Sequence, residues 1–374
     1  MLVIFSLVGV GVGWFIGRAA RAIEIGFSLN ISNLNLPVLI LGAVVLLALT
    51  LAAHEAGHLL GGRLVGFRFI LFIVGPLKIV REGNEVRVRL NKDVSLYGGL
   101  ASAIPTDDKD LPRRMAVMIA GGPLTSLLMG GLSLGLGVWL NAHLPSSSPW
   151  SVLTAFAFIF GLLNLVIFIV TLIPGKTSGF DTDGAQLIDV LRGGHRAERR
   201  GLVTALSAVS THGVRPRAWN AEQVERLLAL REGRPDDVLA NFLGYYHFLD
   251  LGQTRQAGEL LDLCLKDANG FPEAARPMIF AEAAYFTAHH RQEATAARQF
   301  LASAFGGLVE SYTRLRAEAA VLLAEGRFAE AADRARAGLA QVSKSWDKGG
   351  AASETEWLTD ILTQAEILNG ANPQ

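Results

Sequence analysis

The segment His54-Glu55-Ala56-Gly57-His58 sets two imidazoles and a carboxylate at the end of a strongly apolar run, residues 37–53 (PVLILGAVVLLALTLAA). On a helix, residues i and i+4 share one face, so His54 and His58 can hold a single metal ion between them. Glu55 is turned about 100° from His54. It is left free to take a proton without being a ligand, the arrangement used in zinc-assisted peptide hydrolysis. In a soluble helix such a segment often does no more than face solvent. Here several apolar turns precede it, and ionisable groups inside a membrane segment are costly enough to be read as functional.

Two histidines do not complete such a site, which needs a third protein ligand. After the last apolar segment the chain reads PGKTSGFDTDG, residues 174–184. Asp183, followed by Gly184, is the preferred ligand, and Asp181 is its competitor. Gly184 would let the backbone approach closely or adopt a positive φ. An Asp-Gly pair by itself is an ordinary turn.

These residues must be held by membrane helices. Four apolar segments stand out, at 2–16, 37–58, 115–140 and 150–173. A spanning helix needs about 20 largely apolar residues, which the last three meet. The first is short and glycine-rich, and lacks the basic start of a signal peptide, so it is read as a retained helix. Lys and Arg are dense in the loop 61–114 and absent from 141–149. The positive-inside rule then puts 61–114 and everything after Pro174 in the cytoplasm, with HEAGH near the inner face. Arg18 and Arg21 run against that assignment for the first helix.

Between the second and third apolar segments, residues 67–80 are β-branched and aromatic, Gly83-Asn84 reads as a turn, and 85–90 alternate. One or two hairpins at the membrane surface are expected, and such an edge could pair with an extended peptide. It could equally be a small sheet with no substrate role.

Composition separates two halves. Of 374 residues, 51% are hydrophobic, and charge is scarce up to Arg63 and over 115–174 and dense after Asp181. Lys+Arg and Asp+Glu number 34 each, so nothing points to nucleic acid. Cys264 is the only cysteine, which rules out an intrachain disulfide and fits a cytosolic soluble half. The second half is rich in Ala, Leu, Glu and Arg. Three of its stretches resemble one another, with turns expected near Gly252, His290 and Gly326 and a period of about 36 residues. Ala283, Ala284, Ala319, Ala320, Ala331 and Ala332 would allow tight helix pairing. The other histidines show no ligand spacing, and His289-His290 is read as a solvated helix–turn junction.

The motifs together resemble the site-2 protease family of intramembrane zinc metalloproteases. His54-Glu55-Ala56-Gly57-His58 is similar to the family's first motif. Gly122-Pro123, taken to start the third helix, looks like its central Gly-Pro. Leu172-Ile173-Pro174 with Asp183-Gly184 resembles its last motif, with Thr171 standing where the family has Asn; Asn164, one to two turns earlier, is an alternative. The resemblance covers roughly residues 37–190. It implies that His54, His58 and Asp183 bind one catalytic Zn2+, that Glu55 is the base, and that the substrate is a membrane-anchored protein. The second half resembles tetratricopeptide repeats.

The expected fold is mainly α: a polytopic membrane helix bundle of about four spanning helices with a small membrane-surface β insert, then a soluble α-solenoid. Its parts are a first helix and loop (1–36), a protease core (37–191, insert about 67–104), a linker (192–219) and the repeats (220–374). The expected setting is a bilayer, that of a bacterial plasma membrane, with the C-terminal domain cytoplasmic and open to a protein partner. The rival readings are a catalytically idle membrane scaffold working through its repeats, and a metal transporter. Transporters tend to show internal repeats in the membrane domain, and none is visible.

Overall fold

The computed structural model describes residues 36–145, 150–177, 179–233 and 237–371. They fall into two compact units, one of the described residues within 36–50 and 127–166 and one of those within 51–126 and 167–371.

The first unit is made of parts of three long helices, α1 (Leu36–Leu64), α2 (Leu111–His143) and α3 (Ser151–Leu172). Each is long and apolar enough to cross a membrane, with mean hydropathy of 1.8, 1.6 and 2.6. Among the described residues there are therefore three such helices, and the expected fourth, at 2–16, lies outside them. Leu41, Leu128 and Leu132 are exposed apolar residues, as lipid-facing positions are. Polar side chains find partners inside the unit: Thr50 Oγ1 donates to Leu46 O at 2.9 Å and Ser133 Oγ to Ala157 O at 3.0 Å. Asn164, fully buried, donates from Nδ2 to Phe160 O at 2.9 Å and to Thr50 Oγ1 at 3.4 Å.

One expectation about α2 is corrected. Pro123 lies inside the helix and not at its start. The helix begins earlier because Pro112 suits a first turn, where its missing N–H is not needed. Arg114 anchors that turn, donating from Nε to Val65 O at 2.7 Å and from Nη1 to Asp107 Oδ1 at 2.6 Å.

In the second unit, β1 (Phe67–Val74), β2 (Leu77–Glu82), β3 (Glu85–Leu90) and β4 (Leu100–Pro105) form an antiparallel sheet of order β3-β2-β1-β4. Gly75 and Gly83 make its first two turns, with φ of 53° and 57°. The apolar run 67–80 thus breaks into two strands at Gly75-Pro76. β4 carries Ala101, Ser102 and Ala103, weak strand formers by propensity. It is a strand because it pairs along β1, Phe72 opposite Ala101 and Phe69 opposite Ala103. Ile70, Leu71 and Ile73 of β1 are buried with Leu96, Ala208 and Ala274, and Leu308 and Trp346 close over them. Asp93 Oδ2 also accepts from Gly307 N at 2.8 Å. β1 and β4 are therefore packed against helical residues of this unit, whereas β3 is exposed along its length.

After the hairpin β5 (Lys176–Thr177) and β6 (Phe180–Asp181) come α4 (Asp183–Arg192) and α5 (His195–Thr211). The stretch 192–219, read as a linker, is mostly α5, whose Leu206 and Ala208 are core residues. The remaining helices are α6 (Ala221–Ala229), α7 (Val238–Asp250), α8 (Thr254–Asp267), α9 (Arg276–His289), α10 (Ala294–Ala302), α11 (Ser311–Ala324), α12 (Phe328–Val342) and α13 (Lys348–Ala371). Helices α7–α8, α9–α10 and α11–α12 are three hairpins. Gly252 and Gly326 turn the first and third, while Gln292 takes the positive φ in the second. The six expected alanines are all buried. Of the pair read as solvated, His290 is exposed and His289 is half-buried, 3.2 Å from Asp360 Oδ2 of α13 and stacked on Tyr285.

Among the described residues, Arg316 of α11 is the largest fully buried side chain. Its Nε donates to Glu354 Oε2 at 2.8 Å and its Nη2 to Glu282 Oε1 at 2.5 Å. Tyr245 and Tyr246 each donate to Glu282 at 2.8 Å. Burial pushes the Glu354 carboxyl up from 4.5 to about 7, against the pull of Arg316. A folded-state value above the unfolded one means that this group's contribution to stability falls as pH rises through that window. Arg316→Met strips the shared cation from two buried carboxylates. A loss of about 3–5 kcal/mol is expected at neutral pH, read from the urea midpoint by circular dichroism. The deficit should shrink toward pH 5, where Glu354 is protonated in the folded chain, and a pH-independent deficit would contradict the assignment.

Candidate metal centre

The site is built where α1, α2 and the start of α4 meet within the second unit. His54 is buried, and its Nε2 lies 3.1 Å from Asp183 Oδ2. His58 Nε2 lies 3.3 Å from Asp183 Oδ1 and 3.3 Å from His54 Nε2. One ligand atom from each of the three residues falls within 4.8 Å of the others, so the triad could hold a metal ion. No other such group of His, Cys, Asp or Glu occurs among the described residues.

The outer nitrogens are held as well. His58 Nδ1 donates to Met118 O at 3.1 Å, which leaves its Nε2 lone pair facing the triad. His54 Nδ1 lies 2.9 Å from Ser126 Oγ, which can accept its proton and orient the ring the same way. Three electron-rich atoms then converge in a buried space, an arrangement that a cation relieves. Two imidazole nitrogens and a carboxylate oxygen are a donor set that suits zinc. Burial raises the proton affinity of Asp183. Without an ion, imidazoles protonated at Nε2 would instead donate to Asp183, and those hydrogen bonds outweigh its burial and hold the carboxyl well below its usual range.

Two carboxylates compete for the third position on sequence grounds, and the structure separates them. Asp183 meets both histidines, whereas Asp181 accepts from Arg200 Nη2 at 2.8 Å. Thr182 caps α4 through Ala185 N and also donates to Ile173 O at 2.8 Å, tying the helix start to the end of α3. Gly184 follows because its Cα faces the Leu172 carbonyl, where a Cβ would overlap.

Glu55 is not part of the triad. Its carboxylate meets the beginning of β4: the Ala101 amide lies within hydrogen-bonding reach, and a Cβ at Gly99 would sit 2.5 Å from Oε1. Asn164 and Thr171 belong to other surroundings, Asn164 with Thr50 and Phe160, and Thr171 with Phe168 O.

The Gly-Pro element has a packing role that a helix-start reading does not reveal. Gly57 and Gly121 lie backbone to backbone, and a Cβ on either would strike the other's carbonyl oxygen. A Cβ at Gly122 would overlap the His58 ring. The glycines of HEAGH and AGGP therefore bring α1 and α2 close enough for Met118 O and Ser126 to reach the histidines. Gly122→Ala is expected to cost about 1–3 kcal/mol by overpacking. It should also weaken zinc binding about 10–100-fold, as loss of outer ligand support does. Competition with a fluorescent chelator reads that affinity, and a wild-type value would refute the role given to Gly122.

Ser126, Met118 O and Ala101 escaped sequence reasoning. Two act through the backbone, and Ser126 has only its place one helical turn beyond Gly122 as a signal. A cavity of about 430 Å³ borders the site on the helical side. Met115, Met118 and Ile119 of α2 line it with Phe180, Arg196 and Arg200.

Comparison of the chain with family models, with curated proteins and with solved structures found no match.

Proposed function

We propose that this chain is an intramembrane zinc metalloprotease of the site-2 type, which hydrolyses peptide bonds of membrane-anchored proteins near the cytoplasmic face. The observation that carries the reading is the convergence of His54, His58 and Asp183, with Glu55 outside the triad but near enough to interact electrostatically with all three. His54, His58 and Asp183 would hold the ion. A zinc ion, when bound, supplies Lewis acidity toward a peptide carbonyl and toward water. Glu55 takes a proton from the attacking water and returns it to the leaving amine.

A helical substrate hides its carbonyls in hydrogen bonds and must unwind to be cut. β4 is an outer strand of its sheet, and its Ala101 amide faces Glu55. An unwound segment added along that edge would lie against the catalytic carboxylate, which supports the β-addition reading of the insert. Loop charge supports an orientation with the second half in the cytoplasm, and we read the setting as a bacterial plasma membrane. We read the three helical hairpins as an α-solenoid of tetratricopeptide type that docks a protein partner.

The test is zinc content and cleavage of a synthetic transmembrane substrate by purified protein in detergent, before and after chelation. Stoichiometric zinc, with cleavage lost on chelation and restored by zinc, is the expected result. Folded protein that binds no zinc would overturn the reading and favour the idle scaffold. Zinc flux in proteoliposomes without cleavage would favour a transporter.

A further inference from the structure

We propose that the cavity between α5, α7, α11 and α13 is a binding site for an organic monocation, an alkylammonium or guanidinium group. It measures about 230 Å³, and its walls are aromatic: Trp219, Phe242, Tyr246, Tyr312, Trp346 and Trp357. Three carboxylates, Glu310, Asp347 and Glu354, line the same space. Aromatic faces with carboxylates between them attract organic cations through both the ring quadrupole and charge-assisted hydrogen bonds.

Among the described residues no Lys or Arg lines the cavity; Arg316 lies behind one wall, 4.9 Å from the Trp357 ring centre. Glu310 accepts only from Trp346 Nε1, at 3.1 Å. Asp347 accepts from Ser210 Oγ at 2.6 Å and Gly350 N at 3.2 Å. Neither forms an ion pair among the described residues, and Lys78 acts on Glu310 only from a distance. Glu354 shares Arg316 with Glu282, so one guanidinium serves both. The three lining carboxylates, with Glu282 behind them, thus stand against one buried cation. Desolvation raises the proton affinity of Glu310, Asp347 and Glu354, as expected where no countercharge is supplied. Ser353, fully buried on the wall, offers a hydroxyl without a full hydrogen bond, only the Asp250 carboxylate being near.

A bare metal ion does not fit. The carboxylates do not converge as His54, His58 and Asp183 do, and the walls are aromatic instead of oxygen-rich. A side-chain-sized cation fits the volume, the walls and the charge. Leu239 lines both this cavity and the one bordering the metal centre, so an occupant here lies one side chain from that space.

The test uses the full-length protein in detergent and the emission of its tryptophans, three of which line the cavity. The titrants are N-acetyl-arginine amide and n-butylammonium chloride, with N-acetyl-citrulline amide as the neutral match of arginine. A saturable change with a cation and none with citrulline is expected, with apparent affinity about tenfold weaker in the doubly substituted Glu310→Gln, Asp347→Asn protein. Amides keep the shape of the carboxylates and remove like charges, so the variant should fold, which its circular dichroism checks. No saturable response to either cation overturns the proposal. So does a response that citrulline reproduces or that survives the double substitution. The peptide acetyl-Gly-Arg-Gly-amide separates the sources: binding at least as tight as arginine amide supports a protein segment as the natural occupant, and its exclusion supports a small amine. The readout is binding, so it stands apart from the metalloprotease assay.

Discussion

Glu55→Gln is expected to lower cleavage of a synthetic transmembrane substrate by about 10²–10⁴-fold, the usual worth of a general base, while zinc content stays at the wild-type level. The amide matches the carboxylate in size and leaves the contact with the Ala101 amide and the space at Gly99 unchanged. Neither histidine nor Asp183 depends on Glu55 for its hydrogen bonds. The two readouts therefore separate: proton transfer is lost and the ion is kept. Turnover near wild type in Glu55→Gln would remove Glu55 from the chemistry, and zinc loss in the same variant would recast it as a ligand.

Asp183→Ala should empty the site of zinc and abolish cleavage, whereas Asp181→Ala should keep the ion. The reasoning is local. Asp183 supplies both oxygens that face His54 and His58, and nothing else in the triad can replace them. Asp181 supplies an oxygen to Arg200 and lies near Lys176, so its removal loosens the hairpin. These ion pairs are partly exposed, where removal costs about 1 kcal/mol or less. Inductively coupled plasma analysis of the two purified proteins decides the matter. Zinc retained in Asp183→Ala and lost in Asp181→Ala would exchange their roles.

The contrast between these aspartates shows where reading a chain stops. Two histidines four apart need only helical periodicity to meet, so His54 and His58 are legible from spacing. Asp181 and Asp183 share one loop, and what distinguishes them is Arg200, on a helix that begins at His195. The apolar helices were plain from composition, but their basic ends were not, since α2 starts among Pro112, Arg113 and Arg114. β4 was hidden because its residues favour no strand and only the register with β1 makes them one. The hairpins of the second half followed from periodicity and small residues. Arg316 did not, because a buried arginine is indistinguishable in sequence from one on a solvated face until Glu282 and Glu354 arrive from neighbouring helices.

His54 and Asp183 lie 129 residues apart. A ribosome needs roughly 6–26 s to cover that distance at 5–20 residues per second. Through that interval the first two ligands are already synthesised and the third is not. If the proposed hydrolysis is what the triad serves, competence is a late event in biogenesis, reached only after the helix Ser151–Leu172 and the turn beyond it have emerged. On that reading, a nascent chain would be harmless to neighbouring membrane proteins until its own synthesis had passed that point.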